Sequence, residues 1–333
     1  MKNVVYIGGF GHWPDVADEF SLQKSVQTVG AAPAYEGEDI SVLRNHPALP
    51  DDLPFAGSVS DLFKETDADI AVISTRLDCI AHAVIQAAEA GCNLICEKPL
   101  GVTQEEVKRI RDAVRANQVR LIPMLSMRTE PVFVKARELV RAGTIGEVAL
   151  INTRKSYRFG IRPEWFGDRS KYGGTFAWVG IHAADMIDFI TGLKFTSVSA
   201  RQINFAHADY SDCEDCCTAL FEMENKALAT MSLDLLRPDA APTHGDHWIR
   251  VVGTKGVLEA SVTTGTVKLT NSDGEAEVEV PSFRPPLYLD ILTDEQTQIP
   301  LAGVDAGFQL TKVMLCARDS ADQDGITISI SKA

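Results

Sequence analysis

The chain lacks any apolar run near the roughly 18–20 residues that a membrane-spanning helix requires, so no such helix is expected. It reaches Gly8-Gly9 after a run of only four apolar residues, too short for the core of a signal peptide. Positive charge is scarce: 32 Lys and Arg against 46 Asp and Glu leave a formal net charge of −14. That balance argues against a nucleic-acid partner and against binding to a polyanionic membrane surface. Cysteine is sparse and odd in number, seven in all, which points to reduced thiols and a cytoplasmic setting. No internal repeat or low-complexity segment interrupts the chain. What remains is ordinary for a globular protein: 333 residues, 45% hydrophobic and 23% charged, enough for about two domains with their own cores.

The first half alternates short apolar runs with helical patterns. Val4–Ile7 reads as a buried strand followed by Gly8-Gly9-Phe10-Gly11-His12-Trp13-Pro14. Gly9 and Gly11 supply the first two glycines of G-x-G-x-x-G, a turn that lets backbone N–H groups approach a pyrophosphate at a helix N-terminus. Pro14 replaces the third glycine and suits the first turn of a helix, expected over 15–25. A second strand, 26–29, ends in Gly30-Ala31-Ala32-Pro33 without the acidic residue that usually holds the ribose of NAD. Glu36, Glu38 and Asp39 follow, with no basic residue before Arg44, which leans towards NAD over NADP. Further expectations are a helix over 58–66, a strand over 69–73 ending in Ser74-Thr75-Arg76, and a helix over 78–90 whose His82 serves its surface or its packing and is no ligand. Thr103-Gln104-Glu105-Glu106 is a capping box opening a helix to about Asn117, and 119–124 closes the first domain as a strand.

The stretch that organises these elements is Gly91-Cys92-Asn93-Leu94-Ile95-Cys96-Glu97-Lys98-Pro99-Leu100. Asn93 to Cys96 reads as a buried parallel strand after a helix-ending glycine. Ligands bind outside the carboxyl ends of such strands, which is where Lys98 stands. An ammonium there can donate to a substrate oxygen, and partial burial would lower its pKa. Pro99 fixes the turn, and X–Pro is the one bond at which a cis peptide costs little.

Beyond residue 124 the pattern changes. A helix over 131–142 and a strand over 147–153 precede Gly173-Gly174-Thr175-Phe176-Ala177-Trp178-Val179-Gly180-Ile181-His182-Ala183-Ala184-Asp185. After about 195, segments of five to ten residues separated by turn signals predict a meander of antiparallel strands, then a helix over 305–321 and a closing strand over 326–330. A sheet covered by helices on one face only commonly buries the other against a second subunit, so a homodimer or homotetramer is expected. His182 and Asp185 stand three apart on one helical face, a spacing that would let Asp185 orient the imidazole. From 154 to 171 there are six basic and two acidic residues, a local +4 against −18 for the rest. Arginine's planar fork suits a carboxylate or phosphate, and Tyr157 or Trp165 could pack on a sugar face beside Arg158 and Arg162. Cys213, Cys216 and Cys217 have zinc-like spacing without a second pair at the right distance, so buried thiols are expected and no metal. His244 and Asp246, in a long loop, are retained only as groups supporting the site.

Strand followed by Glu97-Lys98-Pro99, with the glycine pair and helix of 173–185, resembles the Gfo/Idh/MocA oxidoreductases, the relatives of glucose–fructose oxidoreductase and inositol dehydrogenase. The resemblance spans nearly the whole chain. It implies an α/β protein with a Rossmann dinucleotide-binding domain over 1–123. An α+β domain with a large, predominantly antiparallel sheet would follow over 124–333, for substrate binding and oligomerisation. Carried over by position, Lys98 and His182 match the family's catalytic lysine and histidine, with Asp185 beside them. The cofactor would be NAD, or NADP, held by Gly8, Gly9, Gly11, His12, Ser74, Thr75, Arg76, Glu97 and Lys98. Substrate would meet Tyr157, Arg158, Arg162, Trp165, Trp178 and His244. The family's D-x-G-x-H-x-x-D departs here, since Trp178 stands where its first aspartate does. The function implied is hydride transfer between nicotinamide and a hydroxyl or carbonyl carbon of a sugar, cyclitol or polyol. Two alternatives stay open: a redox-neutral glycosidase or epimerase that uses NAD transiently, and a cofactor-binding regulator without turnover.

Overall fold

A computed structural model describes residues 1–292 and 304–330. Contacts divide the chain into two units, Met1–Met124 with the described part of Pro286–Thr311, and Leu125–Pro285 with Lys312–Ala333 up to residue 330. The return of 286–292 and 304–311 to the first unit differs from the expected division, which gave everything after 123 to the second domain.

The first unit is a parallel sheet with helical connections. Its elements are β1 (Lys2–Ile7), α1 (Trp13–Ser21), β2 (Val26–Ala32), α2 (Val59–Glu65), β3 (Ile70–Ile73), α3 (Ile80–Glu89), β4 (Asn93–Cys96), α4 (Gln104–Ala116) and β5 (Leu121–Pro123). The strand order is β2-β1-β3-β4-β5, all parallel, the doubly wound arrangement expected. Val4 to Ile7, Ile70 to Ile73 and Leu94 to Cys96 are buried throughout, as strands covered on both faces must be. α4 starts at the expected capping box: the Thr103 hydroxyl accepts from Glu106 N–H at 3.2 Å, and Glu106 accepts from Thr103 N–H at 3.1 Å.

Two boundaries move for identifiable reasons. α1 stops at Ser21 because its buried face, Trp13, Val16, Ala17 and Phe20, is complete there and Leu22 is exposed. β2 continues to Ala32 through the Gly30-Ala31-Ala32 run that reads as a turn. Those residues pair with Val5, Tyr6 and Ile7, and a Cβ on Gly30 would come within 2.8 Å of Leu62 Cδ1, so a larger residue would have to displace that side chain. The carboxylate of Glu19 on α1 accepts the N–H groups of Leu287, Tyr288 and Leu289 at 2.9, 2.6 and 2.9 Å. It thereby seats Leu287, Tyr288 and Ile291 in the same core as Tyr6, Trp13 and Phe20.

The second unit is built on a nine-stranded sheet. Its elements include α5 (Pro131–Arg141), β6 (Val148–Tyr157), α6 (Arg169–Tyr172), α7 (Ile181–Thr191), β7 (Phe195–Ile203), β8 (Cys216–Met223), β9 (Leu228–Asp234), β10 (Gly245–Gly253), β11 (Gly256–Ser261), β12 (Thr266–Asn271), β13 (Gly274–Val278) and, after α8 (Val304–Asp322), β14 (Ile328–Ser329). The order is β13-β12-β11-β10-β6-β9-β8-β7-β14, antiparallel except for the parallel pair β6 and β9. β8 alternates strictly, with Cys217, Ala219, Phe221 and Met223 buried and Thr218, Leu220 and Glu222 exposed. One face of the sheet therefore carries the core, under α5 and α7, and the other is open. None of the seven cysteines is in a disulfide.

Candidate active site

In the first unit the site is assembled where β1, β3 and β4 end side by side. Gly8 and Gly11 have φ of +80° and +102°, values that glycine adopts readily and other residues rarely. At Gly11 space is also closed: a Cβ would lie 2.0 Å from Oε2 of Glu97. Glu97 is wholly buried at the end of β4. Its Oε2 accepts from His12 N–H at 2.7 Å and lies 2.8 Å from His12 Nδ1, while its Oε1 accepts from Lys98 N–H at 2.9 Å. Burial alone would push this carboxyl up, but the His12 ring and the Lys98 ammonium outweigh it and hold Glu97 below the ordinary carboxylate range. Lys98 is 2% exposed, and its peptide with Pro99 is cis.

Ser74 and Thr75, at the end of β3, complete the turn. Ser74 O accepts from Phe10 N–H at 2.9 Å, and the Ser74 hydroxyl donates to the Phe10 carbonyl. The Thr75 hydroxyl donates to Glu38 at 2.7 Å, and Glu38 also accepts from Ala34 N–H at 2.7 Å. A Cβ on Gly8 would lie 3.0 Å from the Glu38 carboxylate, so an acidic group stands at the first glycine of the turn. The sequence offered three acids after β2, and periodicity could not tell which one folds back. Burial raises the Glu38 carboxyl, against the hydrogen bonds from Thr75, Ala34 and Gly9. Arg76 does not offer a bare charge here: it grips Asp78 at 2.6 and 3.0 Å and lies 4.2 Å over the Tyr35 ring. A narrow glycine cradle at a helix N-terminus, with a carboxylate beside it, fits a dinucleotide.

In the second unit the glycine pair ends α6, with Gly173 and Gly174 both at positive φ. A π-helical turn, Phe176–Gly180, then leads into α7. His182 lies in the first turn of α7 and is buried. Asp185 does not orient the imidazole as its spacing suggested. Its Oδ1 accepts from Arg128 Nε at 2.6 Å and is 2.5 Å from Nη2, and its Oδ2 has no hydrogen-bond partner among the described residues. Arg128 also reaches Asp188 at 3.1 Å. A guanidinium buried beside the helix competes for that carboxylate, and no spacing pattern announces a partner 57 residues away.

The proposed substrate residues form two groups. Tyr157 lies between His244 and His247, ring centroids 5.4 and 4.9 Å away, and Arg158 N–H donates to the His244 carbonyl at 3.0 Å. Trp165 stacks on Phe166 at 4.4 Å, and Trp178 meets Phe166 edge-on at 6.4 Å. Asp246 is tied to Arg154 at 2.8 Å and to the Thr263 hydroxyl at 2.8 Å. Among the described residues no cluster of three or more His, Cys, Asp or Glu could hold a metal ion, and no helix is long and apolar enough to cross a membrane.

Two family descriptions match in tandem. Residues 13–124 match an oxidoreductase family with an NAD-binding Rossmann fold, and residues 133–259 match a GFO/IDH/MocA C-terminal domain. A protein from Thermotoga maritima described as an oxidoreductase superposes with a TM-score of 0.91 at 31% identity, covering 98% of this chain and 99% of its own. An uncharacterized oxidoreductase of Streptococcus pneumoniae is 26% identical over 78% of this chain and 79% of its own length. Inositol 2-dehydrogenase of Rhizobium meliloti is 26% identical over 73% and 72% respectively.

Proposed function

Because the chain belongs to the Gfo/Idh/MocA oxidoreductases and carries their NAD-binding Rossmann fold, we propose that it is a dehydrogenase of CH–OH groups in a sugar, cyclitol or polyol derivative. The observation that carries this reading is Glu97. One buried carboxylate fixes both the glycine turn, through His12, and the backbone of Lys98, so the cofactor cradle and the signature lysine share a single anchor. Kinship with inositol 2-dehydrogenase supports a polyol-like substrate.

The nicotinamide, when bound, accepts or supplies the hydride. The chain's own residues handle the proton and the charge. His182 takes the hydroxyl proton during oxidation and returns it during reduction. Lys98 donates to the substrate oxygen and stabilises the negative charge that develops there. Gly8, Gly9, Gly11 and His12 hold the dinucleotide, with Ser74, Thr75 and Arg76 along its edge.

Glu38 favours NAD in this reading, since a 2′-phosphate would meet a carboxylate, and Arg76, the cation that acts on Glu38, is already paired with Asp78. Calorimetry with NAD(H) and NADP(H) is expected to give tighter binding of NAD(H). Failure of both to bind at millimolar concentration would remove the enzyme reading altogether. The assembly is a homodimer or homotetramer in a cytoplasmic setting, with the open face of the sheet in the contact, where Leu220 and Leu228 are 47% and 46% exposed. Sedimentation that showed only a 36.2 kDa species at micromolar concentration would refute the oligomer.

A further inference from the structure

The cations of 154–171 separate into two kinds. Arg154 is held by Asp246, Arg169 by Glu214 and Asp322, and Lys171 by Asp168. Arg158 and Arg162 make no ion pair with any described residue, in a chain that carries 46 acidic side chains. Arg158 gives one N–H to the Ala241 carbonyl and keeps a buried Nε without a hydrogen-bond partner among the described residues. Arg162 lies over the rings of Phe159 and Phe166, at 5.6 and 5.1 Å, and its Nε is likewise buried and unsatisfied. The Arg237 guanidinium bonds Thr243, at 2.9 and 2.8 Å, and no carboxylate among the described residues.

These arginines gather at one end of the sheet. Parallel strands β6 and β9 both finish there and β10 begins there, with Arg158 bridged to Leu236 and bonded to His244. Burial first, then Arg162 and Arg158, lowers the His244 pKa. Burial, then Lys155, lowers His247 to about 3. Both imidazoles are thus neutral at pH 7 and can accept as well as donate, amid a positive potential.

The same end of the sheet lies under the helix that bears His182. A Cβ on Gly180, two residues before His182, would come within 3.0 Å of Leu233 Cδ1, and Leu233 pairs with Lys155. Trp178, in the same π-helical turn, packs edge-on against Phe166, the ring beneath Arg162. Position 178 thus presents an indole, not a carboxylate, to the ring that Arg162 covers.

We propose that Arg158 and Arg162, with His244, form a subsite for an anionic group, a carboxylate or a phosphate, carried by the substrate of the His182 site. The inference rests on the dehydrogenase reading for its reaction but not for its binding. Two guanidinia with no carboxylate partner among the described residues offer the planar donors that such oxyanions accept in pairs. Neutral polyols would leave those donors unmatched.

Direct binding separates the two claims. Glucuronate, glucose 6-phosphate and glucose are titrated calorimetrically into the whole protein, with and without NAD. The acidic sugars are expected to bind about ten- to a hundred-fold more tightly than glucose. The preferred one of the two identifies the anion as carboxylate or phosphate. Arg158→Met and Arg162→Met should each remove most of that preference, weakening the acidic sugars far more than glucose. Arg154→Met, which removes the same charge from a residue already paired with Asp246, should preserve it. Equal binding of acidic and neutral sugars by the unaltered protein overturns the subsite whatever the variants do. Loss of preference in all three variants alike also overturns it, as bulk electrostatics. Arginine-dependent binding without any NADH formation upholds the subsite and counts against the dehydrogenase reading.

Discussion

Lys98→Met is expected to lower turnover by about two to four orders of magnitude, the range associated with a positioned proton-transfer or charge-stabilising group. Methionine fills nearly the same volume as the lysine stem, so a site only 2% exposed should keep its packing. The Glu97 carboxylate holds residue 98 by its backbone N–H, which the substitution retains. Affinity for NAD(H), set by the glycine turn, should therefore change little. The variant is compared by steady-state kinetics and calorimetry on whichever sugar, cyclitol or polyol proves to be oxidised. Near-native kcat would show that the lysine has no part in the reaction. A parallel loss of NAD(H) binding would move its role from chemistry to cofactor retention. His182→Ala should behave as Lys98→Met does, with a lost proton acceptor in place of a lost charge.

The second large effect concerns stability. Arg128→Met leaves the Asp185 carboxylate buried with its principal partner gone, and removing one member of a buried ion pair typically costs about 3–5 kcal/mol. The side chains are 5% and 1% exposed, so solvent can screen little of this. The loss should depend on pH in a definite direction. Burial pushes the Asp185 carboxyl up to about 6 even with Arg128 in place. A raised folded-state pKa means that the folded protein keeps a proton the unfolded chain has released. The contribution of this group therefore falls as pH rises from about 4 to about 6. Without Arg128 the folded-state pKa rises further and the decline extends to higher pH. Denaturant titrations should thus show the full deficit near pH 8 and a smaller one near pH 5, where Asp185 is neutral. A deficit below about 1 kcal/mol at pH 8, or one that grows towards acid, would show that the pair does not hold the helix.

Much of the architecture was readable because local chemistry and global fold agree. Wholly apolar runs such as Ile70 to Ile73 specify strands buried on both faces, and Thr103 with Glu106 specifies the start of α4 to the residue. The glycine turn and the Lys98 strand end were readable for the same reason, as each is a contiguous stretch with its own geometric demand. What escaped were relations between distant residues. The Arg128–Asp185 pair joins a short helical turn to a helix with no repeat to mark it. Glu38 was one of three neighbouring acids, and only the closure of β2 onto β1 selects it. The 154–171 segment declared its charge but not its pairing, which depends on carboxylates as far off as Asp322.

The three amide hydrogens captured by Glu19 have a practical implication for anyone dividing this protein. A gene fragment stopping at residue 124 would encode every strand of the parallel sheet and still lack Leu287, Tyr288 and Ile291 from its interior. Such a fragment would expose the flanks of Tyr6, Trp13 and Phe20 to water and leave a carboxylate without the donors that satisfy it. The folding unit is thus not a contiguous stretch of gene, and a fragment intended to bind the dinucleotide on its own would have to import the 286–311 segment by fusion.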